Sequence, residues 1–126
     1  MTSALHPQLP PAHRPRLCFM SYRHIRQFAQ PLIAEYQDRA EIEFIDAVFT
    51  DALPLASERL SRGPVDAFVS AGSNASMLRQ GLLAPVATIQ LTGFDLMQAL
   101  IRARCIANRV GIVTYGQAIP ELEEVK

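Results

Sequence analysis

Short continuous apolar runs alternate along the chain with longer segments that carry apolar residues every three or four positions. The continuous runs predict strands buried on both faces, as in a parallel sheet, and they lie at 16–21, 41–48, 65–70, 85–91 and 109–115. The segments between them have the spacing of amphipathic helices, and they lie at 25–39, 53–60, 74–82 and 94–106. This alternation predicts an α/β fold with a doubly wound parallel sheet and right-handed crossovers.

The end of the chain leaves two interpretations of the fifth strand open. Residues 120–125 resemble the start of another helix, and the sequence ends there, either in an ordinary terminal helix or inside a longer domain. The strand at 109–115 therefore either completes a five-stranded sheet or opens a second lobe, which leaves four strands in the first. We expect a disordered proline-rich lead-in at 1–15, a first lobe at 16–107 and a truncated second lobe at 108–126.

Composition narrows the class of protein. The chain has 126 residues, 49% of them hydrophobic, which suits one domain with a real core. Lys and Arg number 12, as do Asp and Glu, whereas nucleic-acid binders usually carry a basic patch, so we expect no direct nucleic-acid contact. No apolar run approaches the roughly 18 residues of a membrane span, and no secretory signal opens the chain. Cys18 and Cys105 are expected to be buried free thiols, which suits a cytoplasmic location.

A loop of small and polar residues follows the third predicted strand. It comprises Ser70, Ala71, Gly72, Ser73 and Asn74 and leads directly into a helix. Gly72 permits close approach of a ligand to the backbone, and exposed amides at the helix start favour an anion such as a carboxylate or phosphate. Simple capping of the helix by Ser73 or Asn74 is the competing interpretation.

Two other strand ends fall at the same edge of the predicted sheet, where ligands bind in open α/β folds. Thr92 follows the fourth strand, where it is suited to cap the next helix reciprocally with Asp95 and is also free to touch a ligand. Ser21 and Arg23 follow the first strand, where they either bind a carboxylate or form a solvated turn. The candidate ligand residues are thus Ser21, Arg23, Ser70, Gly72, Ser73, Asn74 and Thr92.

Catalytic and cofactor motifs are not found in the sequence. Two of the three histidines lie in the predicted lead-in, and no Cys/His pair has metal-ligand spacing. The loop at 70–74 is followed by neither the Gly-Lys-Ser/Thr of a P-loop nor a G-x-G-x-x-G pattern. We therefore expect a protein that is not an enzyme and that carries neither a metal nor a cofactor.

The segment from residue 65 to residue 100 resembles a known family. The family pattern is a strand ending in Ser-x-Gly, a helix with Leu-Arg, then Pro-Val, an apolar strand, Gly-(Phe/Tyr)-Asp and a helix ending in Ala-Leu. The matching residues here are Ser70, Gly72, Leu78-Arg79, Pro85-Val86, Gly93-Phe94-Asp95 and Ala99-Leu100. From about residue 16 to residue 126 the chain is similar to the effector-sensing domain of the propionate catabolism regulators, which are sigma-54-dependent transcriptional activators.

The resemblance implies a two-lobed α/β sensor, similar to periplasmic-binding proteins, that holds a small effector between its lobes. The expected effector is a polycarboxylate, 2-methylcitrate. Full-length relatives continue into an ATPase module that acts on sigma-54 polymerase and a helix-turn-helix that binds DNA, and the present sequence contains neither.

Two other functions stay open at the level of the sequence. A flavodoxin-like nucleotide-binding domain or enzyme would need a phosphate loop after the first strand, and residues 21–24 lack the glycines for one. A structural role through self-association is the other. Val110, Ile112 and Val113 would have few partners in a truncated second lobe, and free strand edges invite pairing, so we expect a homo-oligomer.

Overall fold

A computed structural model describes residues 14–113 and shows four parallel strands flanked by helices. The strands are β1 (Arg16–Ser21), β2 (Glu41–Asp46), β3 (Ala67–Ala71) and β4 (Val86–Ile89). The helices are α1 (Arg23–Ala34), α2 (Ala52–Arg62), α3 (Gly72–Gly81) and α4 (Gly93–Ile106), and a 3-10 turn at Phe49–Asp51 precedes α2. Strand and helix therefore alternate as the apolar pattern predicts.

The strand order is β2-β1-β3-β4, and every neighbouring pair is parallel. Cys18 lies beside Glu43 of β2 on one side and Phe68 of β3 on the other, and Phe68 in turn pairs with Val86 of β4. The chain crosses over β1 between β2 and β3, so β1 and β3 form the centre of the sheet. This is the doubly wound α/β fold expected from the sequence.

One face of the sheet carries the core. Because side chains alternate between the faces of a strand, Cys18, Met20 and Phe68 point to the same side, and all three are fully buried. They pack against Ala52 and Ala56 of α2 and Leu78 of α3 in one apolar cluster. We call this side, covered by α2 and α3, the core face; the opposite side, which carries Phe19 and Phe44, is the α1 face.

Strand positions are predicted more accurately than helix ends. β1 occupies the predicted residues, whereas α1 begins two residues early and ends at Ala34, five residues before the predicted end. The prediction of a fifth strand is wrong over 109–113, which form no strand, and residues 114 and 115 lie outside the described residues. The expected burial of both thiols is correct for Cys18 and wrong for Cys105, which is exposed.

The chain divides into two compact units at Ile89 and Gln90. The described part of the first unit holds the sheet with α1, α2 and α3, and that of the second holds α4. No helix within residues 14–113 is long and apolar enough to cross a membrane.

Candidate functional site

The carboxyl ends of β1 and β3 lie side by side because these strands are neighbours at the centre of the sheet. β1 ends at Ser21 and α1 begins at Arg23, so a single residue, Tyr22, connects them. β3 ends at Ala71 and α3 begins at the next residue. Six of the seven predicted ligand residues therefore lie along two adjacent turns at one edge of the sheet, which we call the carboxyl edge.

Three of those six side chains are buried and bound to backbone carbonyls, and two of them, Ser70 and Asn74, bind residues distant in the sequence. The Ser70 hydroxyl donates to the Met20 carbonyl at 2.6 Å, and the Asn74 amide nitrogen donates to the Ala47 carbonyl at 3.0 Å. Both residues are fully buried. The Ser70 bond joins β3 to β1, and the Asn74 bond joins α3 to the residue after β2. These two donors therefore stabilise the carboxyl edge and are not exposed to solvent.

The first turn of α3 is open. No side chain caps the helix, and its N-cap is Ala71, so the prediction of capping by Ser73 or Asn74 is wrong. The first backbone N–H groups of a helix have no partner within it, and the helix dipole makes this end attractive to anions. Gly72 has φ +55°, and a Cβ added there would meet no atom within 4 Å. The backbone at this position is therefore accessible.

Hydroxyl groups bridge the two turns above the buried pair. Tyr22 Oη and Ser73 Oγ lie 3.2 Å apart in a hydrogen bond, which joins the β1 turn to the start of α3. The buried Ser21 hydroxyl donates to the Tyr22 carbonyl at 3.3 Å. The role of Tyr22 was not foreseen, because nothing local in the sequence shows that it faces a residue 51 positions away.

The charges at this edge favour an anion on the β1 side. Arg23 is exposed at the start of α1. The carboxylate of Asp46, where β2 ends, is paired with Arg26 at 3.5 Å, and the Arg26 guanidinium also lies 5.0 Å from the centre of the Phe44 ring. The Asp46 carboxylate is thus neutralised by Arg26. Arg23 remains as an exposed cation beside Tyr22.

One acceptor at this edge lacks a partner. Asn74 Oδ1 is buried with no hydrogen bond from any described residue. A buried unpaired acceptor costs about 1–3 kcal/mol, so a water or ligand donor reaching it would be stabilising.

Thr92 belongs to the second unit and has a role of its own there. Its hydroxyl accepts from the Asp95 amide at 3.2 Å, and the Asp95 carboxylate accepts from the Thr92 amide at 2.9 Å. This is the predicted capping box at the start of α4. Hydrogen bonds from the Thr92 backbone and hydroxyl lower the pKa of the Asp95 carboxyl.

The opposite edge of the sheet has a groove of about 260 Å³ between the start of the strands and the end of α2. Its charged side chains pair with one another: Arg16 with Glu41 at 3.3 Å, and Arg59 with Glu43. We call it the amino-edge groove. Its charges are already neutralised, so it has little left to offer a charged ligand.

Within residues 14–113 no group of three or more His, Cys, Asp or Glu side chains is placed so that it could hold a metal ion. The carboxyl edge instead offers backbone N–H groups, hydroxyls and one exposed guanidinium. These groups can bind and orient an anion.

Comparison with known proteins gives the family. The fold is similar to the crystal structure of an NtrC family transcriptional regulator from Clostridium acetobutylicum, with a TM-score of 0.73 and 21% identity. The match covers 90% of this chain and 59% of that one, so the chain spans less than two thirds of the solved relative. The family described as Propionate catabolism activator matches residues 36–126. The chain therefore belongs to the propionate catabolism activator family.

Proposed function

We propose that this chain is the effector-sensing part of a sigma-54-dependent transcriptional activator of propionate catabolism. Family membership carries the proposal, because the family match covers most of the chain, including residues 70–74, where β3 ends and α3 begins, and the start of α4. Members of this family regulate transcription, so the role is one of binding and signalling rather than catalysis. DNA and sigma-54 polymerase would be contacted through other domains of the regulator.

The proposed effector is a small polycarboxylate such as 2-methylcitrate, bound at the carboxyl edge. The uncapped first turn of α3 supplies backbone donors at Gly72 and Ser73, and Arg23 supplies a positive charge. Ser21, Ser70 and Asn74 hold these groups in place through their own hydrogen bonds. Thr92 stays a prediction from the sequence, and its hydroxyl serves the cap of α4.

Isothermal titration with 2-methylcitrate of a regulator that contains both lobes of the sensor tests this proposal, with citrate as a related polycarboxylate and succinate as a smaller acid. The informative variant is Arg23→Gln, which removes the exposed charge and keeps a polar side chain. Its matched control is Arg79→Gln, in the last turn of the same helix that begins at Gly72. A hydrogen bond to a charged group is worth about 1.5–3 kcal/mol, so Arg23→Gln should weaken binding about tenfold or more.

The same titration identifies the helix start as the anion site. Ser73→Pro removes one backbone N–H in the first turn of α3 together with the hydroxyl that binds Tyr22, so Ser73→Ala is its control. The proline variant should lower affinity more than the alanine variant, and both should leave the circular dichroism spectrum intact. Equal weakening by Arg23→Gln and Arg79→Gln would mean that binding follows overall charge and not this edge. Unchanged affinity in both Arg23→Gln and Ser73→Pro would place the effector elsewhere.

No observation favours the nucleotide-binding alternative. A phosphate loop after β1 needs several residues with small side chains, and only Tyr22 separates β1 from α1. Addition of ATP or flavin mononucleotide to the same titration should produce no heat of binding.

A further inference from the structure

The chain diverges after β1 and β3, because α1 packs on the α1 face of the sheet and α3 on the core face. These two strands are neighbours in the order β2-β1-β3-β4, at the point where the direction of the strand order reverses. Ligands of doubly wound sheets bind in the crevice at such a point. Phe19 lies beside Val69, so α1 and α3 begin within one residue of the same level. The starts of two helices therefore border one crevice.

The first turns of these helices do not neutralise their own positive ends. Neither α1 nor α3 has a side-chain cap or an acidic residue in its first turn. Helix α1 carries Arg23 and His24 there instead, although cations at a helix start oppose the dipole. Of the acids that follow β2, Asp46 pairs with Arg26 and Asp51 lies at the start of α2. A negatively charged group in the crevice would therefore stabilise both helix starts.

The side chain of Tyr22 reaches across this crevice. Its backbone is fixed as the N-cap of α1, where its carbonyl accepts from the Ile25 and Arg26 amides at 3.0 and 3.2 Å. Its half-buried side chain places Oη 3.2 Å from Ser73 Oγ in the first turn of α3. Two hydroxyl groups carry two hydrogens, and this contact uses one of them. Among residues 14–113, the other O–H has no acceptor.

A buried acceptor in the same turn of α3 is a second and independent sign of a ligand. Asn74 is fully buried, and its Oδ1 has no partner among residues 14–113. It is the third residue of α3, and Cα–Cβ bonds tilt toward the amino end of a helix, so its side chain is directed toward the helix start. Buried acceptors are ordinarily satisfied, here by a donor on a ligand or an ordered water.

We propose that Tyr22 is a binding residue whose hydroxyl donates to an effector carboxylate between the starts of α1 and α3. The inference rests on the proposed function, and it narrows the effector to an acid with at least two carboxylates, one for each helix start. A carboxylate only accepts hydrogen bonds, so the phenol hydrogen turns from Ser73 to the effector when the effector binds. Because α1 already holds the Tyr22 backbone, little conformational freedom is lost in binding.

Isothermal titration of a regulator that contains both lobes, with 2-methylcitrate, compares Tyr22→Phe with wild type. Phenylalanine removes only the hydroxyl, and loss of a hydrogen bond to a charged group should raise the dissociation constant about tenfold. Tyr36→Phe is the matched control and should bind as wild type does, because Tyr36 lies beyond the end of α1 with its ring against Arg39. Equal affinity of wild type and Tyr22→Phe would overturn this proposal alone. A wild type that binds no polycarboxylate would overturn the proposed function with it.

A Ser73→Ala background separates contact with the effector from a structural role of Tyr22. If the phenol acted only by joining the two turns, Tyr22→Phe would have no further effect once Ser73 is replaced by alanine. We expect Tyr22→Phe to weaken binding about tenfold in this background as well. An effect of Tyr22→Phe that disappears in Ser73→Ala would overturn the proposal.

The number of carboxylates is tested with smaller acids in the same titration. Succinate carries two carboxylates and can serve both helix starts, whereas propionate carries one. We expect propionate to bind at least about tenfold more weakly than succinate, since it forgoes the charged hydrogen bonds at one helix start. Equal affinity for the two acids would exclude an effector that bridges α1 and α3.

Discussion

The two edges of the sheet contrast in how their polar groups are used. At the amino edge, long charged side chains pair with one another around a groove, as Arg16 does with Glu41. At the carboxyl edge, short neutral side chains such as Ser70 and Asn74 are buried and bind backbone carbonyls, while the first turn of α3 stays uncapped. The groove therefore lies at the edge whose charged side chains pair with one another. The edge with free backbone donors is the better candidate for a binding site.

The largest effect should come from the buried bonds of the carboxyl edge. Ser70→Ala leaves the Met20 carbonyl without its partner, and Asn74→Ala does the same to Ala47. Each should lower the free energy of unfolding by about 1–3 kcal/mol, the cost of an unsatisfied buried group. Urea denaturation measures this loss, with exposed Ser57→Ala in α2 as the control. Losses no greater than that of Ser57→Ala would mean that the edge is not held by these bonds.

The next prediction concerns Gly72 and separates the strain of its backbone conformation from the lack of space for a side chain. Gly72→Val should cost about 1–2 kcal/mol, because φ +55° is left-handed and unfavourable for a branched residue. Gly72→Asn should cost less, since asparagine tolerates that region. Gly111→Ala is the control, because a Cβ there also meets no atom within 4 Å and its φ is not positive. Equal costs for Gly72→Val and Gly72→Asn would exclude backbone strain as the cause.

A pH effect of similar size is expected beneath the amino edge. Burial, and secondarily the charge of Glu43, raises the pKa of the Cys18 thiol from 9.0 to about 12. Below pH 9 the thiol is protonated in both states, whereas between pH 9 and 12 only the unfolded chain ionises, so stability falls as the pH rises. The loss at pH 10 should be on the order of 1 kcal/mol.

Denaturation of wild type and Cys18→Ala at pH 8 and pH 10 isolates this contribution. The variant has a lower stability at both values but should lose less of it between them, while other ionising groups act equally on both proteins. A matching pH dependence in the two proteins would show that the thiol does not resist ionisation in the fold.

The smallest effect should come from the exposed ion pair of the amino edge. Arg16 and Glu41 have side chains that are 49% and 52% exposed, and such pairs are worth about 0–1 kcal/mol. A double-mutant cycle with Arg16→Ala and Glu41→Ala should give a coupling energy below about 0.5 kcal/mol, decreasing in high salt. A coupling energy larger than the loss of stability in Ser70→Ala would reverse the contrast between the edges.

Local sequence information predicted the features that depend on neighbours in the chain. The continuous apolar run of β1 gave its bounds correctly, because a strand buried on both faces needs no partner to be recognised. The Thr92 and Asp95 capping box was also predicted, since its two members are three residues apart.

Features that depend on distant residues could not be predicted in this way. Ser70 binds a carbonyl 50 positions away and Asn74 one 27 positions away, so the sequence could offer only local capping or ligand binding as their roles. The run at 110–113 is apolar, but a strand needs a neighbouring strand for its backbone hydrogen bonds, and composition does not show whether one is present.

The crossover that places β3 next to β1 has a consequence for the order of folding. β2 follows β1 directly through α1, whereas the other edge of β1 is closed only by a strand that comes two helices later. Contacts between residues far apart in sequence form slowly, because closing a long loop costs conformational entropy before the stabilising contacts have formed.

During synthesis, the β1–α1–β2 unit therefore leaves the ribosome with one edge of β1 unpaired and with Cys18 and Met20 uncovered. This is the kind of surface that chaperones bind and that other nascent chains can pair with. This exposure ends when β3 pairs with β1, and the same event brings the first turn of α3 beside Tyr22.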